Sequence, residues 1–168
     1  MSSYILSEHS NNAVKAIIFN ANGKILLQKR DDHENLPFAN CWNFFGGLVE
    51  NDEDLMAALK RELIEELSCI PGKIEQKIFE WTWKSEWRTT TNHFYPLFFD
   101  GIELSINLQE GQEMKWFSID QILSLDLVPA IYCNFAKIYR YLDKNSSIDK
   151  ITDINAVGDK YLKNNNLV

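Results

Sequence analysis

One segment constrains this chain more than any other: GLVENDEDLMAALKRELIEELSC, from Gly47 to Cys69. Leu55, Leu59, Leu63 and Leu67 recur every four residues, which predicts a helix over 54–68, with Asn51 or Asp52 placed to cap it. At about 100° per residue, Glu62, Glu65 and Glu66 share an arc of about 100°, and Glu62 and Glu66 adjoin the leucine face. The carboxylates therefore sit beside the core, where like charges one turn apart repel. Arg61 is four residues before Glu65 and can pair with it, as on any charged helix face. A hard divalent cation is the other way to offset such a cluster, because Mg²⁺ takes oxygen ligands and is held by a few carboxylates together with substrate phosphates.

The rest of the composition agrees with a small acidic globular protein. Hydrophobic residues make up 45% and charged residues 24% of 168 residues, enough for a core of its own. Seventeen Lys and Arg against 24 Asp and Glu give a net charge of −7, which disfavours long nucleic acids as partners and makes a polyanionic ligand depend on a cation. The sequence has no apolar stretch of membrane-spanning length, and Met1 to Asn12 lacks a signal-peptide pattern, so a cytoplasmic protein without membrane attachment is expected. Cys41, Cys69 and Cys133 have no CxxC or zinc spacing and read as reduced, structural thiols. His9, His33 and His93 likewise lack metal-ligand spacing, which favours surface or hydrogen-bonding roles.

Ala13 to Phe19, Asn22-Gly23 and Lys24 to Arg30 read as an opening hairpin. A polar stretch, Asp31 to Cys41, leads to the apolar Trp42 to Phe45 and then to Gly46-Gly47. After the helix, Pro71-Gly72 acts as a stop. Ile74 to Asp100 reads as long strands broken near Ser85 to Arg88, and Ile102 to Leu108 and Met114 to Phe117 as further strands around an acidic loop, Gln109 to Glu113. Ser118 can cap a short helix, Ile119 to Leu123, and Pro129 starts a longer one reaching Asp143. A domain over 1–143 followed by a polar tail, 144–168, is the expected organisation.

The segment Gly47 to Cys69 resembles the Nudix box, G-x5-E-x7-R-E-U-x-E-E-x-G-U, where U is a bulky aliphatic residue. Gly47, Glu53, Arg61, Glu62, Leu63, Glu65 and Glu66 match. The six of these with a fixed residue type, all but Leu63, would coincide roughly once in ten million trials at average usage. Ser68 stands in place of the family's glycine and Cys69 in place of an aliphatic residue; losing the glycine is expected to change how the helix ends. The resemblance covers roughly Ala13 to Asp143 and implies an α/β/α sandwich around a mixed β-sheet. It also implies hydrolysis of the pyrophosphate linkage in a nucleoside diphosphate joined to another moiety: a nucleoside triphosphate, a nucleotide sugar or ADP-ribose. By the same resemblance Glu62, Glu65 and Glu66 bind Mg²⁺, or Mn²⁺ in its place, with the Gly46 carbonyl as a further ligand. Arg61 orients a glutamate, and Glu53 supports the metal shell.

Glu110, in Gln109-Glu110-Gly111-Gln112, resembles the loop glutamate that serves the mutator-type branch of the family, with Glu113 an alternative carboxylate. Arg30 resembles an arginine that meets substrate in several members. Gly47 and Phe44, beside the glycine loop, are the remaining substrate-binding candidates; Phe45, Trp83, Trp87 and Trp116 are other aromatics near loops. Pro129-Ala130 is followed by Ile131, where the mutator branch has an asparagine that reads its purine, which argues against oxidised guanine nucleotides. Members are frequently dimers, so the resemblance allows a homodimer. Two other classes compete with the enzyme: a Nudix-fold sensor that binds a nucleotide without cleaving it, and an interaction protein whose charged helix is merely solvated.

Overall fold

The computed structural model describes residues 10–84, 88–99, 101 and 106–145. In chain order these form β1 (Ser10–Phe19), β2 (Ile25–Lys29), β3 (Trp42–Asn43), α1 (Leu55–Leu67), β4 (Gly72–Ile74), β5 (Phe79–Lys84), β6 (Thr89–Phe99), β7 (Glu113–Phe117), α2 (Ile119–Ile122), α3 (Pro129–Tyr132) and α4 (Phe135–Asn145). The described strands make one seven-stranded mixed sheet. β1 and β2 are the expected antiparallel hairpin, turning through Gly23 at φ 69°. β1 then pairs in parallel with β6 along its whole length, from Ser10 opposite Thr89 to Phe19 opposite Phe98. The other edge of β6 carries β5 and, further along, β4, while β2 carries β3 and β7.

Alternation along β1 divides the core into two layers. Val14, Ala16 and Ile18 pack with Leu26, Phe45 and the α1 residues Ala58, Leu59, Leu63 and Leu67. Ile17 and Phe19 pack on the opposite face with Ile25, Leu27, Phe94 and the residues of α2, α3 and α4. The result is the expected α/β/α sandwich, with α1 the one helix on its side among the described residues. β1 and β2 stay paired only near their turn. Further along β1 the loop after β3 takes the place of β2: Ala16 N–H donates to Phe45 O at 2.9 Å, and Val14 N–H to Gly47 O at 2.9 Å. That loop is thereby fixed beside the start of the sandwich, directly over α1.

Local details differ from the sequence expectation in four places. Asp54, not Asn51 or Asp52, caps α1, its carboxylate accepting from Met56 and Ala57 N–H; Asp52 instead takes a turn conformation at φ 64°. Ser68 does not alter the helix end: it adopts the left-handed conformation itself, at φ 60°, with its N–H bonded to Ile64 O. The expected strand Ile102 to Leu108 lies partly outside the described residues, and Ile106 to Leu108 are not strand. They are tied to the end of α1 through Asn107 N–H to Leu67 O. The expected long helix from Pro129 to Asp143 is two helices, α3 and α4. It breaks because Asn134 turns its amide back to the Ala130 carbonyl and restarts the helix with its own carbonyl, which accepts from Lys137 and Ile138. The last helix ends at Asn145, and the remaining tail, 146–168, lies outside the described residues.

Candidate active site

The glycine loop and α1 meet through Glu66. This carboxylate is 6% exposed; one oxygen accepts from the Gln28 amide at 2.6 Å and the other from Gly46 N–H at 2.6 Å. Burial pushes its pKa up to about 7, against the pull of those two donors and of Lys15. Gly46 is held at φ +117°, and a side chain there would collide with the Val14 carbonyl. Gly47 is needed for a different reason: a Cβ at that position would lie 2.6 Å from the Glu62 carboxyl. Gly47 therefore makes room for a glutamate while staying half-exposed itself.

Arg61 organises the rest of the box. Its Nε and one terminal nitrogen donate to the two oxygens of Glu53, both at 2.9 Å, and the same terminal nitrogen reaches the Leu48 carbonyl at 3.0 Å. The other terminal nitrogen donates to Glu62 at 2.9 Å and Glu65 at 3.1 Å. A guanidinium fork suits this task because its donors are fixed in one plane. The Arg61 hydrogen bond holds Glu53 below the ordinary carboxylate pKa, whereas burial raises Glu62. Glu65 is the most exposed of the three helix carboxylates, at 52% of its side chain.

Among the described residues no three Asp, Glu, His or Cys side chains converge as a finished metal cage. Arg61 holds Glu62 and Glu65, while Gln28 and Gly46 hold Glu66. The donor chemistry nevertheless fits a hard cation: carboxylate oxygens together with the Gly46 carbonyl, around a buried glutamate whose hydrogen bonds come only from neutral donors. The Gly46 carbonyl accepts from a cation already, the Lys15 ammonium at 3.0 Å.

A cavity of about 700 Å³ lies on the sheet face away from α1. Lys15, Arg30 and Arg88 line it, with Phe38, Trp81 and Trp83 as an aromatic wall. Phe38 and Trp83 meet edge to face at 6.1 Å. Arg30 holds its place in this wall with its Nε on the Pro37 carbonyl at 3.2 Å. Asn43 and Thr90 also line the cavity, and Asn43 Oδ1 and Thr90 Oγ1 are buried without a hydrogen-bond partner.

Phe44 is corrected by the structure: it is 1% exposed and packs edge to face on Phe94 in the core, so its neighbour Asn43 lines the cavity instead. Phe45 is likewise core, Trp116 packs on Phe99, and Trp87 lies outside the described residues. Ile131 is buried in the core, while Pro129 and Ala130 form part of the cavity wall. Glu110 is exposed in a loop anchored at both ends, by Gln109 N–H to Glu66 O at 2.8 Å and by Gln112 N–H to Lys29 O at 2.9 Å. His93 bonds Asn12 Oδ1 through Nε2, away from this cluster.

Sequence reasoning missed Lys15, Gln28 and Asn43. Each was visible as a polar residue inside an otherwise apolar strand, AVKAIIF, ILLQK or CWNFF, where a buried polar side chain needs a partner.

Carboxylates on one helix, a glycine loop and cations on neighbouring strands define a protein built for phosphate anhydrides. The profile of the NUDIX domain matches residues 9–137, and the chain belongs to that family, whose members typically depend on a divalent metal. It is similar to the CTP pyrophosphohydrolase of Escherichia coli (strain K12), 32% identical over 119 residues that cover 70% of this chain and 83% of that protein. It is also similar to the RNA pyrophosphohydrolase of Pelagibacter ubique (strain HTCC1062), 25% identical over 130 residues, 68% of this chain and 80% of that one. The solution structure of the E. coli ORF135 protein superposes with a TM-score of 0.65 at 29% identity, covering 85% of this chain and 97% of that chain. The chain is a Nudix pyrophosphohydrolase acting on nucleotides.

Proposed function

We propose that this pyrophosphohydrolase is Mg²⁺-dependent and takes a nucleoside triphosphate, with CTP the first candidate. The cavity carries the proposal: an aromatic wall for a base and cations for phosphates, one of them Lys15, which reaches the Gly46 carbonyl. The unpartnered Asn43 Oδ1 favours a base that offers a hydrogen-bond donor, as the exocyclic amine of cytosine does and uracil at the same position does not. The name of the E. coli relative supports the same choice.

Glu62, Glu65, Glu66 and the Gly46 carbonyl would hold the cation. When bound, it would supply charge neutralisation as the P–O bond breaks and a more acidic water. Arg61 keeps Glu62 and Glu65 in register, Glu53 fixes Arg61, and Arg30 meets the substrate's phosphates. Glu110 is the general base in this reading, carried to the end of α1 by its anchored loop. A reducing, cytoplasmic setting fits Cys41, Cys69 and Cys133, which form no disulfide among the described residues.

Product release from nucleoside triphosphates, nucleotide sugars, ADP-ribose and dinucleoside polyphosphates, with Mg²⁺ or EDTA, tests this for the wild type and Glu65→Gln. Turnover of CTP above UTP, lost in EDTA and in the variant, is expected. Preference for a sugar or ADP-ribose conjugate would replace the substrate, and activity untouched by Glu65→Gln would remove the proposed site.

A further inference from the structure

Lys15 is a buried basic side chain in the middle of β1, counted so far only among the cations of the cavity wall. Its neighbours Val14 and Ala16 face α1, so Lys15 starts from the opposite face, where it lines the cavity with Arg30 and Arg88. From there its ammonium reaches the Gly46 carbonyl at 3.0 Å. An ammonium has three donors, and this carbonyl uses one. Gly46 is thus held from two sides, its N–H by Glu66 and its carbonyl by Lys15. Burial pulls the Lys15 pKa below the usual lysine value while Glu66 and Glu62 oppose that pull, so the amine stands within electrostatic reach of the carboxylate cluster.

We propose that Lys15 is a phosphate-binding residue that guards the Gly46 carbonyl until a divalent ion takes that oxygen, and then turns its ammonium to the nucleotide in the cavity. The inference rests on the functional reading above and adds a residue to it. Two cations compete for one oxygen, and the displaced ammonium has the cavity beside it, lined by other cations suited to the same anion. Lys15 therefore opposes metal in the empty protein and favours nucleotide in the loaded one.

Opposite signs in one variant test this. Calorimetry would measure binding of CTP, as its non-hydrolysable methylene-bridged analogue, to the full chain in saturating Mn²⁺, and Mn²⁺ binding without nucleotide, for the wild type, Lys15→Met and Lys15→Gln. Lys15→Met is expected to weaken CTP and to strengthen Mn²⁺ by about tenfold each. A merely structural lysine would lower both affinities together, and that result, or no change in either, would overturn the proposal. Lys15→Gln, which keeps a donor for Gly46, carries the same comparison if the methionine variant melts below the assay temperature. Wild-type protein that neither binds nor cleaves any nucleotide would instead overturn the functional reading, whereas wild-type turnover of CTP with unchanged Lys15 variants overturns this inference alone.

Discussion

Gly47 and Glu62 share a space that fits only one side chain: a Cβ on the glycine would stand 2.6 Å from every carboxyl atom of the glutamate. The glutamate's end is flexible, so alanine at 47 can be accommodated by swinging the carboxylate away from Arg61. Gly47→Ala is expected to fold with a melting temperature close to the wild type and to lose activity by about 10- to 100-fold. Melting curves and initial rates together check it; undiminished activity would show that the Glu62 position does not matter.

Arg61 joins Glu53, Glu62, Glu65 and the Leu48 carbonyl with one planar fork. Lysine keeps the charge but not the fork. Arg61→Lys is expected to raise the Mg²⁺ concentration for half-maximal rate and to cut kcat/KM by about 10- to 100-fold. Because Arg61 acts through other residues, the metal titration distinguishes misplacement of the glutamates from loss of substrate binding. An unchanged metal dependence would contradict the positioning role.

Ser68 occupies a left-handed position at the end of α1, at φ 60°, which a residue with a Cβ adopts at a cost of about 1–2 kcal/mol. Ser68→Gly relieves that strain while keeping the N–H to Ile64. The variant is expected to melt about 2–4 °C higher for each kcal/mol gained. Calorimetric scans in EDTA make the comparison free of bound metal, and a lower melting temperature would refute the account of this cap.

His93 is held below the ordinary histidine pKa of 6.5, first by burial and then by the Lys77 ammonium, with Glu80 opposing. The unfolded chain therefore binds more protons than the folded one as pH falls past 6.5, and stability present above that pH is lost below it. His93→Gln keeps a donor for Asn12 Oδ1 and removes the titration. The fall in melting temperature between about pH 7 and pH 5 should become shallower in the variant. An equally steep fall would assign the acid sensitivity elsewhere.

The spacing from Gly47 to Glu66 was legible because a helix turns regular spacing into a shared face, and the ion pair of Arg61 with Glu65 followed from four residues of separation. The pairing of Arg61 with Glu53 was not legible, since a loop geometry brings them together; the resemblance implied only that Arg61 orients a glutamate. Phe44 and Asn43 show where local reading fails. Both are buried beside the glycine loop, and which of the two reaches the cavity depends on packing against Phe94, contributed by a strand far along the chain. Asp54 was passed over as the cap because nearby residues have equally suitable side chains, and only the left-handed turn at Asp52 decides among them.

The parallel pairing of β1 with β6 has a consequence for how the protein is made. The first described strand finds its longest partner only after α1 and the strands following it have been synthesised, and such distant closure is slow compared with forming a helix or hairpin. The hairpin and α1 are local and can form early, but the Gly46 loop is fixed against β1 and reaches Glu66 only within the assembled sheet. Until β6 arrives on the nascent chain, the acidic helix has no finished loop to face, so the capacity to cleave a nucleotide appears at the end of folding and not before it.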